Sequence, residues 1–249
     1  MDALTRSVEL LESGDTFVLA TALTGAGRTK LIIRRDGAME GTTGSTHLDA
    51  ELTARALRVL QEGQSRTEEV LGRRVFFDLL TGDAHLLLCG AESIAPALAR
   101  CCREAGFAVA VVDDRRSLAS PARFPGCRLI HAPLRDALAR LPLGPNAYVV
   151  VVARGDAHDV ECLSEALLRK AAYAGIIGRP RRVDLALETL AQQGGPREWL
   201  AQVFTPVGLP IGAESGGELA LAVAAELVCV RRRGATVARA LRAAGGGAP

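Results

Sequence analysis

The stretch LLLCGAESIAPALARC, residues 86–101, runs an apolar strand through Gly90 and directly into a helix. A dinucleotide-binding βαβ unit begins this way, with spaced glycines that let the backbone approach a pyrophosphate at the helix N-terminus. Gly90 fills the first of those glycine places, Glu92 stands at the second, and Ala95, an allowed substitute, stands at the third. A carboxylate at the second place repels a diphosphate and occupies its space. Asp113 or Asp114, about 23 residues beyond Gly90 at the end of the next strand, is placed to accept from ribose hydroxyls. Half of the fingerprint is present. Two readings stay open: a nucleotide turn that has been altered, or a glycine that serves only the bend from strand to helix.

Outward from this stretch the chain alternates strands and helices. HLLLCG, a helix over 93–105, FAVAVVDD, RLIHA, a helix near 134–140, AYVVVVA, a helix over 159–172 and AGIIG follow in order. Continuous apolar strands separated by helices predict a parallel sheet covered on both faces, and right-handed crossovers make it a doubly wound sheet of Rossmann type. Upstream the pattern differs. A short helix over 4–11 precedes the strands TFVLATALT and TKLIIRR, and Asp36-Gly37 signals a turn between paired strands. GTTGST leads into a helix over 47–62 with Leu48, Leu52, Ala56 and Leu60 on one face, for which Thr46 and Asp49 form an expected cap. VFFDLLTGD predicts one more strand. The fold class expected is α/β: a small N-terminal α/β domain over residues 1–80, a Rossmann-like doubly wound parallel sheet over 81–235, and a disordered tail over 236–249.

Composition narrows the function classes. The chain has 249 residues, of which 49% are hydrophobic and only 4% aromatic, so packing rests on Ala, Leu and Val. A net charge of +2 predicts no nucleic-acid partner. No run approaches the roughly 18 apolar residues of a membrane span, and the N-terminus lacks the apolar core of a signal peptide, so no membrane association and a cytoplasmic location are expected. The six cysteines, 89, 101, 102, 127, 162 and 229, show no metal-ligand spacing, and buried inert thiols are expected for most of them.

Four longer stretches carry a more specific pattern: VVDDRRSLASPARFPGC (111–127), AYVVVVARGDAHDVECLSEAL (147–167), YAGIIGRPRR (173–182) and TPVGLPIGAESGGELALAVAAELV (205–228). With FVLATALTGAGRTKLIIRRDGAMEGTTGSTHLDAELTARAL (17–57), they resemble the XdhC/CoxI family, the xanthine dehydrogenase accessory proteins. Asp113, Asp114, Arg115, Phe124 and Pro125 match the family's Asp-Asp-Arg before Phe-Pro. Tyr173, Gly175 and Gly178 match its Tyr-x-Gly-x-x-Gly. Pro206, Gly208, Leu209, Gly212, Glu218 and Glu226 match its last turn and helix. The resemblance implies an accessory protein that binds molybdenum cofactor (molybdopterin) and assists its maturation or insertion into a molybdenum hydroxylase apoenzyme of the xanthine or carbon monoxide dehydrogenase type. It implies a cysteine desulfurase as a further partner, and a homodimer is expected from the apolar helix faces. An NAD(P)-dependent oxidoreductase and a non-catalytic interaction subunit on the same scaffold are the alternatives.

The departures from the family fall on polar positions. Gly44-Ser45-Thr46-His47-Leu48-Asp49 stands where the family has Gly-Gly-Gly-Cys-x-Glu, so His47 replaces the thiol and becomes the one candidate metal ligand. Gly25-Ala26-Gly27-Arg28 lacks the family's proline, Gly90-Ala91-Glu92-Ser93 replaces Gly-x-Gly-His, and Ala153-Arg154-Gly155 replaces Thr-His-Asp. The candidate cofactor-binding set is therefore Gly44, His47, Asp49, Gly90, Glu92, Ser93, Asp113, Arg115, Arg154, Gly178 and Arg179, and no catalytic residue is assigned. Each has a plainer reading. His47 can face solvent, Asp159 can cap its helix, Glu218 and Glu226 can pair with arginines, and Arg179, Arg181 and Arg182 can be a solvated basic patch or a phosphate clamp.

Overall fold

The computed structural model describes residues 2–12, 15–24, 29–141, 143–152 and 156–245, with only the backbone of residues 156, 157 and 197. The chain divides into two compact units, Met1–Asp83 with Arg232–Gly234, and Ala84–Arg231 with Ala235–Pro249.

In the first unit, α1 (Ala3–Glu12) precedes β1 (Thr16–Ala22), β2 (Lys30–Arg34) and β3 (Met39–Glu40). Then come α2 (Thr46–Glu62), β4 (Arg66–Val70) and β5 (Arg73–Thr81). The strands form an antiparallel sheet of order β3-β2-β1-β5-β4. Successive side chains of a strand point to opposite faces, and each face takes one helix. Val18, Ala20, Leu31, Ile33, Val75 and Phe77 meet Leu48, Leu52, Ala56 and Val59 of α2. On the other face Phe17, Leu19 and Ile32 meet Leu10 of α1. Strand β3 is the partner that the Asp36-Gly37 turn implies, whereas β4 is absent from the sequence reading. RTEEV of β4 shows no apolar alternation because its inward positions carry charge: Glu68 accepts from Arg55 at 2.7 Å and from Arg66 at 2.5 Å. The α2 cap also differs from expectation. Ser45, not Thr46, is the N-cap, and its side chain accepts from the Leu48 N–H at 3.4 Å.

The second unit holds β6 (Ala84–Cys89), α3 (Ala95–Glu104), β7 (Phe107–Val112), β8 (Arg128–Ile130) and α4 (Leu134–Ala139). It continues with β9 (Ala147–Val152), α5 (Asp156–Leu168), β10 (Tyr173–Ile177), α6 (Pro180–Gln192) and α7 (Arg197–Gln202). It ends with β11 (Val203–Phe204), α8 (Gly216–Arg233) and α9 (Ala235–Gly245), the last residues of α8 being counted with the first unit. All six strands run parallel in the order β11-β10-β9-β6-β7-β8. Counted within the sheet this is 3-2-1-4-5-6, the dinucleotide-binding doubly wound order, and its direction of winding reverses between β6 and β9. Leu86, Leu88, Tyr148 and Val150 face α3 and α8, whereas Leu87, Cys89, Val149 and Val151 face α4, α5 and α6. The expected α/β class and Rossmann-like sheet are therefore what the chain forms.

The stretch expected to be a disordered tail over 236–249 is helical as far as Gly245. The reason is packing: Ala238 is fully buried, Arg239 donates to the Gln202 carbonyl at 2.6 Å and lies 4.0 Å over the Phe204 ring, and Arg242 pairs with Glu226. Among the described residues no helix is long and apolar enough to cross a membrane.

Candidate functional site

In doubly wound sheets ligands bind outside the carboxyl ends of the strands, where the winding reverses. Here that place lies at the ends of β6 and β9, and Gly90 opens it with φ +112, a conformation that L side chains rarely adopt. Ser93 follows at φ +38 and is exposed, so α3 begins two residues later than expected, at Ala95.

The structure brings Gly90, Glu92, Ser93, Asp113 and Arg115 together, but not in the roles the glycine fingerprint assigns. Asp113 is wholly buried at the end of β7. Its Oδ2 accepts from the Ala91 N–H at 2.9 Å and from Arg115 Nη2 at 2.9 Å. Its Oδ1 accepts from the Arg115 N–H and from Arg115 Nε, each at 3.0 Å. Asp113, expected to hold a ribose, is thus spent on the fold, because a carboxylate taken out of water needs every lone pair satisfied. Arg115 then reaches across the turn, its Nη1 donating to Glu92 Oε1 at 2.5 Å. Hydrogen bonds from Arg115 to Asp113 first, and to Glu92 second, raise the guanidinium pKa further above its ordinary value. The backbone is engaged too. Gly90 N–H donates to the Val112 carbonyl at 2.9 Å and Ala91 N–H to Asp113. Two N–H groups of the turn, those of Gly90 and Ala91, therefore already have partners, and the Arg115–Glu92 ion pair lies beside them.

A second buried carboxylate stands on the other side of the crevice. Asp159 of α5, expected to cap that helix, is wholly buried and its Oδ2 accepts from Arg182 Nε and Nη2 at 2.8 and 2.7 Å. Its Oδ1 has no hydrogen-bond partner among the described residues. A buried acceptor left unpaired costs about 1–3 kcal/mol. Asp159 lines a cavity of about 10 Å³ with Cys89, Gly90, His158 and Cys162. Burial, with the Cys89 thiol alongside and the charges of Asp159 and Glu161 nearby, pushes the Cys162 thiol well above its usual range, so it stays neutral and unreactive. Sequence reasoning missed this pairing, since Asp159 and Arg182 lie on different helices. The signal was the second arginine of Arg181-Arg182 in the first turn of α6.

Gly178 and Arg179 follow β10, both exposed, at the same carboxyl end of the sheet. Arg154, Ala153 and Gly155 lie outside the described residues, as does the Gly25–Arg28 link. In the first unit, Asp49 organises the loop before α2: Thr42 Oγ1 donates to its Oδ2 at 2.6 Å, and the Thr43 N–H and Oγ1 donate to its Oδ1 at 2.9 and 2.6 Å. Burial raises the Asp49 pKa, and the two threonines together outweigh it, so the carboxyl lies below its ordinary value. Gly44 has φ +82, and His47 is exposed in the first turn of α2. No group of three or more His, Cys, Asp or Glu side chains among the described residues is placed to hold a metal ion.

Glu218 and Glu226, both open to pairing with arginines on sequence grounds, have different surroundings in α8. Glu218 accepts from the Glu214 and Ser215 N–H groups and caps α8 in the open. Glu226 is wholly buried. Its Oε1 accepts from the Tyr173 hydroxyl at 2.5 Å and the Gly208 N–H at 3.1 Å, and its Oε2 lies 3.4 Å from Arg242 Nε. Burial above all, and then the Glu226 charge, pushes the Tyr173 hydroxyl well above its usual range. Gly175 is required here, because a Cβ on it would sit 2.6 Å from the Tyr173 ring. These residues hold the fold.

A doubly wound domain with a filled glycine turn, preceded by a small antiparallel α/β unit, is the class of protein these observations define. Models of known families identify it further: residues 86–227 match the XdhC Rossmann domain and residues 10–70 match the XdhC and CoxI family. The chain belongs to the XdhC/CoxI family. It is 28% identical over 253 residues to YqeB, an uncharacterized protein of Escherichia coli (strain K12), a match covering 93% of this chain and 46% of that protein. It is 29% identical over 164 residues to a probable xanthine dehydrogenase subunit of Bacillus subtilis (strain 168), covering 66% of this chain and 48% of that one. The chain thus spans less than half the length of the curated relatives it matches. The crystal structure of a xanthine dehydrogenase from Bacillus halodurans superposes with a TM-score of 0.67 and 23% identity, covering 92% of this chain and 66% of that one, and shows the same fold.

Proposed function

We propose that this chain is an accessory protein that binds molybdenum cofactor as cargo and assists its maturation or insertion into a molybdenum hydroxylase apoenzyme. Family membership, together with the Bacillus subtilis relative named for a xanthine dehydrogenase, supports an accessory role in a xanthine dehydrogenase-related system. The observation that favours this over an NAD(P)-dependent oxidoreductase is the filled turn. A pyrophosphate seated at Gly90 must break the Arg115–Glu92 pair and take the Ala91 N–H from a buried carboxylate, which leaves that charge under-satisfied in low dielectric. The residues present do not fit an ordinary dinucleotide.

The cargo is a labile anionic pterin, and a carrier for it needs shelter and hydrogen-bonding groups more than a reaction centre. Arg179, exposed after β10, and the Gly44–Asp49 loop with His47 are the proposed polar contacts in the two units. With His47 at the place of the family's thiol, sulfur for the cofactor comes from a partner such as a cysteine desulfurase.

Anaerobic purification followed by mass spectrometry of released small molecules tests the reading. A pterin, together with loss of molybdenum hydroxylase activity when the gene is deleted, is the expected result. Release of a nicotinamide nucleotide rejects it, as does an empty protein whose deletion leaves every such hydroxylase active.

A further inference from the structure

The crevice at the carboxyl ends of β6 and β9 contains a wholly buried acceptor with nothing to accept. Asp159 Oδ2 is bound twice by Arg182, while Oδ1 has no partner among the described residues. Buried polar atoms in folded proteins are almost always paired, so an orphan of this kind calls for a donor from outside the chain. The surroundings state which donor fits. Asp159, Cys89, Gly90, Val151, His158 and Cys162 line a space of about 10 Å³, enough for one small group such as a water or an amine nitrogen. Arg182 already balances the Asp159 charge, so a cation is not required. Because Oδ1 can only accept, a group that offers acceptors alone does not fit there.

We propose that this crevice receives the exocyclic amino or amide group of a planar, uncharged ligand edge, with Asp159 Oδ1 as its acceptor. The ring stays outside the small cavity, and only its donor enters. Arg182 is the positioning residue, since its two hydrogen bonds hold the carboxylate through Oδ2 and leave Oδ1 unengaged. The donor requirement holds for any ligand; the choice of a pterin as the probe rests on the cargo reading above, because the pterin ring bears one such amino group.

The test is a fluorescence titration of the whole chain with pterin and with lumazine, in which a carbonyl replaces that amino group. Pterin is expected to bind more tightly by about ten-fold or more, the worth of one hydrogen bond to a charged acceptor. Asp159→Asn keeps an oxygen for Arg182 and offers the crevice an amide NH₂, so the preference should turn toward lumazine. A merely structural Asp159 would not invert a preference. Equal affinities, binding of neither compound, or an unchanged preference in the variant each overturns the proposal. If Asp159→Asn does not fold, the wild-type preference for pterin decides. Cofactor retained without discrimination between the two pteridines leaves the cargo reading standing and removes Asp159 from it; discrimination without retention does the reverse.

Discussion

At Arg115 a single side chain serves two carboxylates of unlike character, the buried Asp113 and the half-exposed Glu92. Removing one partner of a buried ion pair leaves an uncompensated charge, so Arg115→Ala is expected to lower stability by about 2–3 kcal/mol, less than for a fully enclosed pair because solvent reaches the guanidinium. Urea unfolding measures it. Glu92→Gly removes only the outer pair and restores a glycine at the second fingerprint place, at a cost of about 1 kcal/mol or less. NADH fluorescence is expected to show no binding even then, since the Gly90 and Ala91 N–H groups keep their internal partners. Asp49 supplies a pH dependence. Its folded pKa lies below the ordinary 3.8, so its stabilisation is fully present above that value and is lost as pH falls through the lowered one. Asp49→Asn should flatten the acid limb of a thermal-stability profile, and an unchanged limb would remove Asp49 from the account. The positions of Gly90, Glu92, Asp113 and Arg115 could be read from the sequence. Their mutual saturation could not, because it depends on how a side chain at 115 crosses a turn 23 residues earlier in the chain.

Helix α8 shows the same limit among elements. Spacing alone places Glu218 and Glu226 on one face, yet one closes the exposed first turn and the other anchors three elements from inside the core. Ser215→Ala, which removes the acceptor for the Glu218 N–H, should cost about 1 kcal/mol. Glu226→Ala strands Tyr173 and Arg242 and should cost about 3–5 kcal/mol; calorimetry of both variants compares them. Strands β6, β7 and β9 are readable because each carries a nearly continuous apolar run, buried on both faces throughout β9 and over most of β6 and β7. Strand β4 is not, because charged pairs occupy its inward positions, and β11 is not, because two residues carry no periodicity.

Taken whole, the molecule has separate cores for its two units, and the second is closed by the last helix of the chain. Ending the chain after Gly234 removes Arg242 from Glu226 and Arg239 from Phe204. A fall in Tm larger than that caused by Arg242→Ala alone is expected; a truncated chain as stable as the full one would show that α9 only decorates the surface. From sequence this segment reads as a tail because the chain ends in AAGGGAP; its hold comes from buried Ala238 and from two arginines stacked on or paired with buried groups.

Living cells hold dinucleotides in abundance, and any open Rossmann turn competes for them. Here the Arg115–Glu92 pair fills that turn with the protein's own charges. On the carrier reading proposed above, a turn closed in this way would turn look-alike phosphates aside and leave the neighbouring crevice to the cargo.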